Sequence, residues 1–149
     1  MIPRYSREKM AAIWSQENKY AKWLDVEVAA CEAMVKLGLA PAAAVENIKA
    51  KAVINVARID EIEKVTRHDV IAFVSSLTGV IGEDGRFIHM GLTSSDVLDT
   101  ALAVQLKEAS DILREDLDDL LAVLKRRALE HKKTLMIGAG EMAELTCMH

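Results

Sequence analysis

The stretch SSDVLDTALAVQLKEASDILREDLDDLLAVLKRRALEHKK, residues 94–133, decides the fold. Neither Gly nor Pro occurs between Gly91 and Gly138. Within that span Leu98, Leu102, Leu106, Ala109, Leu113, Leu117, Leu120, Leu124 and Ala128 recur at spacings of 4, 4, 3, 4, 4, 3, 4 and 4. The steps repeat every 11 residues, close to the natural α-helical period, so the pattern predicts one long and nearly straight helix. From Asp96 to Lys133 it would extend ~57 Å at ~1.5 Å per residue. One apolar stripe on so long a rod needs a bundle of comparable helices, which the region before it cannot supply. Its partners are expected from further sequence or from other subunits.

Upstream of the rod the same helical character continues in shorter pieces. With 7 Gly and 2 Pro in 149 residues, the chain has few turn formers and must be built of helices. The expected class is all-α: a small N-terminal helical domain over residues 1–92, then the first long helix of a bundle over residues 93–149. The clearest boundary falls at Gly91-Leu92. A first helix is expected from near Ser6 to about Leu37, carrying Met10, Ile13, Trp14, Ala21, Leu24, Val28, Cys31 and Val35 on one stripe, with Gly38 as its stop. A second should cover Ala42 to Val53 after Pro41, and a third Asn55 to Val65 with Ile59 and Ile62 inward. Thr66 and Asp69 have capping-box spacing, which predicts a fourth helix bearing Val70, Ile71, Phe73, Val74 and Leu77 and ending before Gly79. A glycine-rich loop follows, in which Phe87 to Met90 is compatible with a brief extended segment but too short to assign.

Composition narrows the function classes. Hydrophobic residues make up 51% and charged residues 28%, ordinary for a globular chain. The net charge of −4, with both signs interspersed, implies no broad basic surface for nucleic acid but leaves room for a local anion pocket. No stretch reaches transmembrane length and Met1 to Ser6 has no apolar signal core, so a cytoplasmic protein is expected. Cys31 and Cys147 have no metal-ligand spacing, and Cys31 falls on an apolar stripe as a buried reduced thiol would.

Three clusters carry chemistry. Thr93-Ser94-Ser95-Asp96 opens the long helix. By spacing it is first a capping box, yet three hydroxyls beside free N–H groups and a positive dipole end also suit a carboxylate or phosphate. Thr66-Arg67-His68-Asp69 sits at another helix start. There His68 is either a solvated first-turn residue or an acid/base group whose reference pKa lies near working pH. His89, near Arg86 in the glycine-rich loop, is the third candidate and taken alone the weakest.

The wording of these segments adds a family. Arg4-Tyr5, Ile13 to Tyr20 and Trp23 to Glu27 closely resemble the opening of bacterial-type adenylosuccinate lyases. Thr66 to Phe73 resembles the family's histidine-aspartate segment, and Phe87 to Ala101, containing Gly91-Leu92-Thr93-Ser94-Ser95-Asp96-Val97, resembles a third. The likeness runs in register from residue 1 to about 138. It implies an all-helical enzyme of the fumarase/aspartase superfamily that cleaves adenylosuccinate to AMP and fumarate, and a succinyl-carboxamide ribotide likewise, by β-elimination. No metal or organic cofactor is implied, and the assembly implied is a homotetramer sharing a helical bundle. By matching position, Arg4 and Tyr5 belong to the nucleotide-binding set and Arg67, His68 and Asp69 to the substrate pocket. His89 would lie near the substrate phosphate, and Thr93 and Ser94 would hold a succinyl carboxylate. His68 is implied as the acid/base or substrate-orienting residue.

After Gly138 the resemblance stops. Where the family has an arginine and a histidine, this chain has Ala139 and Glu141. The expectation is therefore a truncated chain, inactive alone. The competing readings are another superfamily lyase, such as one acting on argininosuccinate, and a non-catalytic helical module for oligomerisation.

Overall fold

The computed structural model describes residues 2–137 and 145–147. Six α-helices make up most of it: α1 Glu8–Ile13, α2 Gln16–Lys36, α3 Ala42–Lys51, α4 Val56–Thr66, α5 Asp69–Ile81 and α6 Ser94–Glu130. Short 3₁₀ turns at Pro3–Tyr5 and Glu83–Phe87 precede α1 and follow α5. A three-residue antiparallel pair, β1 Leu135–Ile137 with β2 Leu145–Cys147, is an addition to the all-helical expectation. The departure at Ala139 and Glu141 lies outside the described residues. By contact density the chain divides into Met1–Ala109 and Ser110–His149.

In the first unit the core is aromatic at its centre. Tyr20 and Trp23 of α2 and Phe73 of α5 are nearly fully buried. Tyr20 stacks on Phe73 at 5.8 Å between centroids, and Trp23 meets both rings edge-on at 5.2 and 5.4 Å. Such contacts add ~0.5–1.5 kcal/mol per pair beyond area burial. Ile48 of α3, Ile59 of α4 and Leu77 of α5 close around them, with Val97 and Ala101 from α6. Ile59 is fully buried and Ile62 partly, as expected from their spacing.

The first predicted helix is two. The chain breaks at Trp14-Ser15 because Ser15 Oγ accepts the Asn18 N–H at 3.1 Å and caps a new helix there. The Ile13 carbonyl is taken instead by Gln105 Nε2 at 2.7 Å and Asn18 Nδ2 at 2.9 Å. Helix α2 ends as expected, with Gly38 at φ 72 and the Leu39 N–H reaching back to Met34 O at 2.9 Å.

Thr66 is not an N-cap. It is the last residue of α4, and Arg67 follows at φ 52 in the left-handed region. The chain turns two residues later than predicted, so His68 becomes the N-cap of α5, its Nδ1 accepting the Ile71 N–H at 3.4 Å. Helix α5 passes through Gly79 and stops at Gly82, since apolar packing of Ile81 extends the helix past a residue that merely weakens it. Phe87 to Met90 form no strand: Phe87 ends a 3₁₀ turn and His89 sits at φ 62.

The long helix runs two residues earlier at its start and three shorter at its end than predicted, and spans ~55 Å. Its buried face is Val97, Ala101, Gln105 and Ala109, within the first unit. The leucine stripe lies elsewhere on the surface. Leu102, Leu106, Leu113, Leu117, Leu120 and Leu124 are between 46% and 64% exposed.

Candidate active site

Helix starts supply the site. Helix α5 begins at His68–Asp69 and α6 at Thr93–Ser94, and the loop between them returns His89 to the same place. His68, His89, Thr93 and Ser94 line one cavity of about 390 Å³ together with Val70, Ile71, Val74 and Ser75. Four of the eight residues singled out by sequence thus share a partly apolar hollow with a few convergent polar groups, the usual composition of a small-molecule site.

The N-terminus of α6 is held by a half-formed capping box. Asp96 Oδ2 accepts the Thr93 N–H at 2.7 Å and the Thr93 hydroxyl at 2.9 Å. These two bonds hold the Asp96 carboxyl below the usual range, and the nearby His89 ring acts in the same direction more weakly. Thr93 therefore spends its hydroxyl on the cap. The Ser94 side chain makes no hydrogen bond among the described residues and remains available to a ligand oxygen, beside the positive end of a 37-residue helix.

The two histidines are held in opposite senses. His68 Nδ1 accepts the Ile71 N–H, which requires a lone pair there and leaves the proton on Nε2. Asp69 lies 3.6 Å from that Nδ1, too far for a hydrogen bond, and its Oδ1 accepts its own neighbour's Val70 N–H at 2.7 Å. His89 is the reverse: its Nδ1 meets Glu27 Oε1 at 2.7 Å and its backbone N–H meets Glu27 Oε2 at 2.7 Å. The two rings thus differ in how Nδ1 is engaged, His68 accepting there and His89 paired there with Glu27.

Glu27, the partner of His89, is the residue near the cavity that sequence reasoning passed over. It is 1% exposed, a carboxylate in the middle of the α2 face formed by Tyr20, Trp23 and Cys31. The signal was there: 20, 23, 27 and 31 follow helical spacing, and an acid on a buried face needs a partner. Cys31, one turn on, is a free buried thiol whose pKa is pushed up by burial and then by Glu27.

The remaining four residues lie apart from the cavity lining. Arg67, at the left-handed end of α4, lines a different cleft with Asp60, Glu63 and Lys64. Asp69, the first residue of α5, turns its Oδ1 onto the Val70 N–H. Arg4 and Tyr5 form an exposed pair in the N-terminal 3₁₀ turn, with the guanidinium 4.7 Å from the ring centroid. Among the described residues, no group of three or more His, Cys, Asp or Glu is placed to hold a metal ion. No described helix is long and apolar enough to cross a membrane.

Residues 4–141 match the lyase family. The chain belongs to that family. This lyase chain is 52% identical over 141 residues to the adenylosuccinate lyase of Aquifex aeolicus (strain VF5), covering 93% of itself and 32% of that protein. It is 49% identical over 138 residues to the adenylosuccinate lyase of Bacillus subtilis (strain 168), with the same shares covered. Among solved structures, the 3-carboxy-cis,cis-muconate lactonizing enzyme from Pseudomonas putida superposes with a TM-score of 0.83 at 30% identity, over 91% of this chain and 33% of that one. A fumarate lyase from Mesorhizobium sp. BNC1 superposes at 0.81 with 24% identity, over 94% and 35%, a likeness of fold. The lyase chain has the helical fold of the fumarase/aspartase superfamily and spans about a third of the length of the curated relatives it matches.

Proposed function

We propose that this chain is the substrate-holding N-terminal part of an adenylosuccinate lyase, which releases fumarate by β-elimination from adenylosuccinate, leaving AMP, and from the succinyl-carboxamide ribotide. The observation that carries the reading is the shared cavity of His68, His89, Thr93 and Ser94 at the start of a long helix. In that elimination a base removes a proton beside a carboxylate, an acid assists the departing nitrogen, and donors stabilise the charge that builds on the carboxylate. The Ser94 hydroxyl and the free N–H groups at the start of α6 suit that last role. His68, with its proton on Nε2, suits the acid or substrate-orienting role. His89 suits the phosphate end of the nucleotide, and Arg4, Tyr5, Arg67 and Asp69 complete the set when further chain surrounds the site.

On this reading residues 1–92 form the N-terminal domain and residue 93 begins the central bundle, which four copies share in the cytoplasm. The reaction needs no cofactor. By themselves the 149 residues bind substrate fragments and turn over nothing, since they span only a third of the matched relatives.

Calorimetric titration of the chain with fumarate and with AMP tests the binding. Ser94→Ala should weaken fumarate by ~10–100-fold, the worth of a hydrogen bond to a charged group. No binding of either ligand would overturn the reading and favour a non-catalytic helical module. Fumarate release at a normal rate from the chain alone would overturn the division of labour.

A further inference from the structure

We infer that Glu27 is a positioning residue for His89, fixing the proton of the ring on Nδ1 so that Nε2 is the nitrogen presented to a ligand anion in the cavity. Both oxygens of this 1% exposed carboxylate are spent on a single residue: Oε2 on its backbone N–H and Oε1 on its ring, each at 2.7 Å. A tie serving the loop alone would need only the first. The double grip also explains how His89 keeps φ 62, a left-handed conformation unfavourable for a non-glycine residue. The ring thus held lines the cavity with His68, Thr93 and Ser94.

A carboxylate only accepts, so Nδ1 must carry a proton. His89 is the ion-pair partner of Glu27 among the described residues, and a buried acid without a cation is strongly unfavourable. With Nδ1–H committed to Glu27, Nε2 is the ring nitrogen left to meet a ligand, and when the ring carries its second proton Nε2–H donates to an anion. The titratable groups around it are Cys31 on α2, Asp96 at the start of α6 and His68 across the cavity on α5. The same logic of an acid orienting a histidine through its far nitrogen operates wherever second-layer carboxylates fix a tautomer.

The ligand role of Nε2 rests on the substrate-site reading above, whereas the proton on Nδ1 does not. Long-range ¹H–¹⁵N spectra of the labelled chain at neutral pH decide the second point without any variant. A protonated, hydrogen-bonded Nδ1 on His89 is expected, and a ring protonated on Nε2 alone overturns the inference. Titration with inorganic phosphate and with fumarate, followed at the His89 nitrogens, decides the first. Glu27→Gln keeps the volume and removes the charge, and should weaken the anion that shifts His89 by ~10-fold or more. Equal affinity in the variant overturns the positioning role. If neither anion shifts His89 in the parent chain, the substrate-site reading falls and the anion-facing half of the inference falls with it, while the Nδ1 result still stands or fails by its own spectrum.

Discussion

Replacing two leucines of the α6 stripe should dissolve the self-association of this chain. Leu102, Leu106, Leu113, Leu117, Leu120 and Leu124 are 46%, 51%, 55%, 64%, 52% and 56% exposed, so each has roughly half its side chain left to bury. Full burial of a leucine is worth ~2 kcal/mol, which leaves about 1 kcal/mol per position and about 6 per rod. Two rods meeting stripe to stripe gain ~12 kcal/mol, against ~4–15 kcal/mol of lost rigid-body freedom. A pair is therefore marginal, and a bundle in which each rod touches several others is favoured. Leu117→Glu with Leu124→Glu removes about a third of the gain, ~4 kcal/mol per pair, or ~10³-fold in affinity at ~1.4 kcal/mol per decade. Light scattering across a range of concentrations should show higher-order species for the parent chain and a shift toward monomer for the double variant. Arg126→Glu, on the opposite side of the helix, adds negative charge without touching the stripe and should leave association intact. A parent chain that stays monomeric at high concentration, or a double variant that associates equally well, would refute the reasoning.

The start of α6 should loosen in acid. Asp96 has a folded-state pKa below its unfolded value, so its contribution to the cap is fully present above the ordinary aspartate pKa of ~3.9 and is lost as pH falls through the lower folded value. Amide exchange at Thr93 should accelerate over that window, and Asp96→Asn should make the exchange fast and insensitive to pH there; a Thr93 amide indifferent to both would contradict the cap. Two glycines should respond oppositely to alanine in urea denaturation. At Gly85 an added Cβ would stand 3.0 Å from Thr78 Cα, Cβ and Cγ2, so Gly85→Ala should lower stability by ~1–3 kcal/mol. At Gly79 nothing lies within 4 Å, and removing a flexible residue from the body of α5 should raise it by ~0.5–1 kcal/mol.

What could be read from sequence followed the range of the interaction responsible. The long helix was legible because one stepping pattern runs unbroken through nine apolar residues, and α3 and α4 because Pro41 and Asn55 mark their starts by local chemistry. The break at Ser15 was not, since the partner that takes the Ile13 carbonyl, Gln105, is 92 residues away. Likewise Thr66 and Asp69 have capping-box spacing, but α4 keeps Thr66 and the left-handed Arg67 hands the cap to His68. Gly85 looks like any loop glycine until α5 is packed against it.

The same distinction explains why the site was half seen. Thr93, Ser94 and His68 advertise themselves because helix starts concentrate unpaired N–H groups, a local property. His89 was the weakest candidate because a histidine in a glycine-rich loop means little by itself, and its significance lies in a carboxylate 62 residues earlier. Glu27 in turn looks like an error in an apolar face unless His89 is known to reach it. Neither residue identifies the other from sequence, yet each removes the other's cost: the acid justifies a left-handed histidine, and the histidine justifies a buried acid. That reciprocity makes the pair hard to replace one member at a time. Changing Glu27 alone leaves a strained loop, and changing His89 alone leaves an unpaired buried charge, which is the costlier of the two.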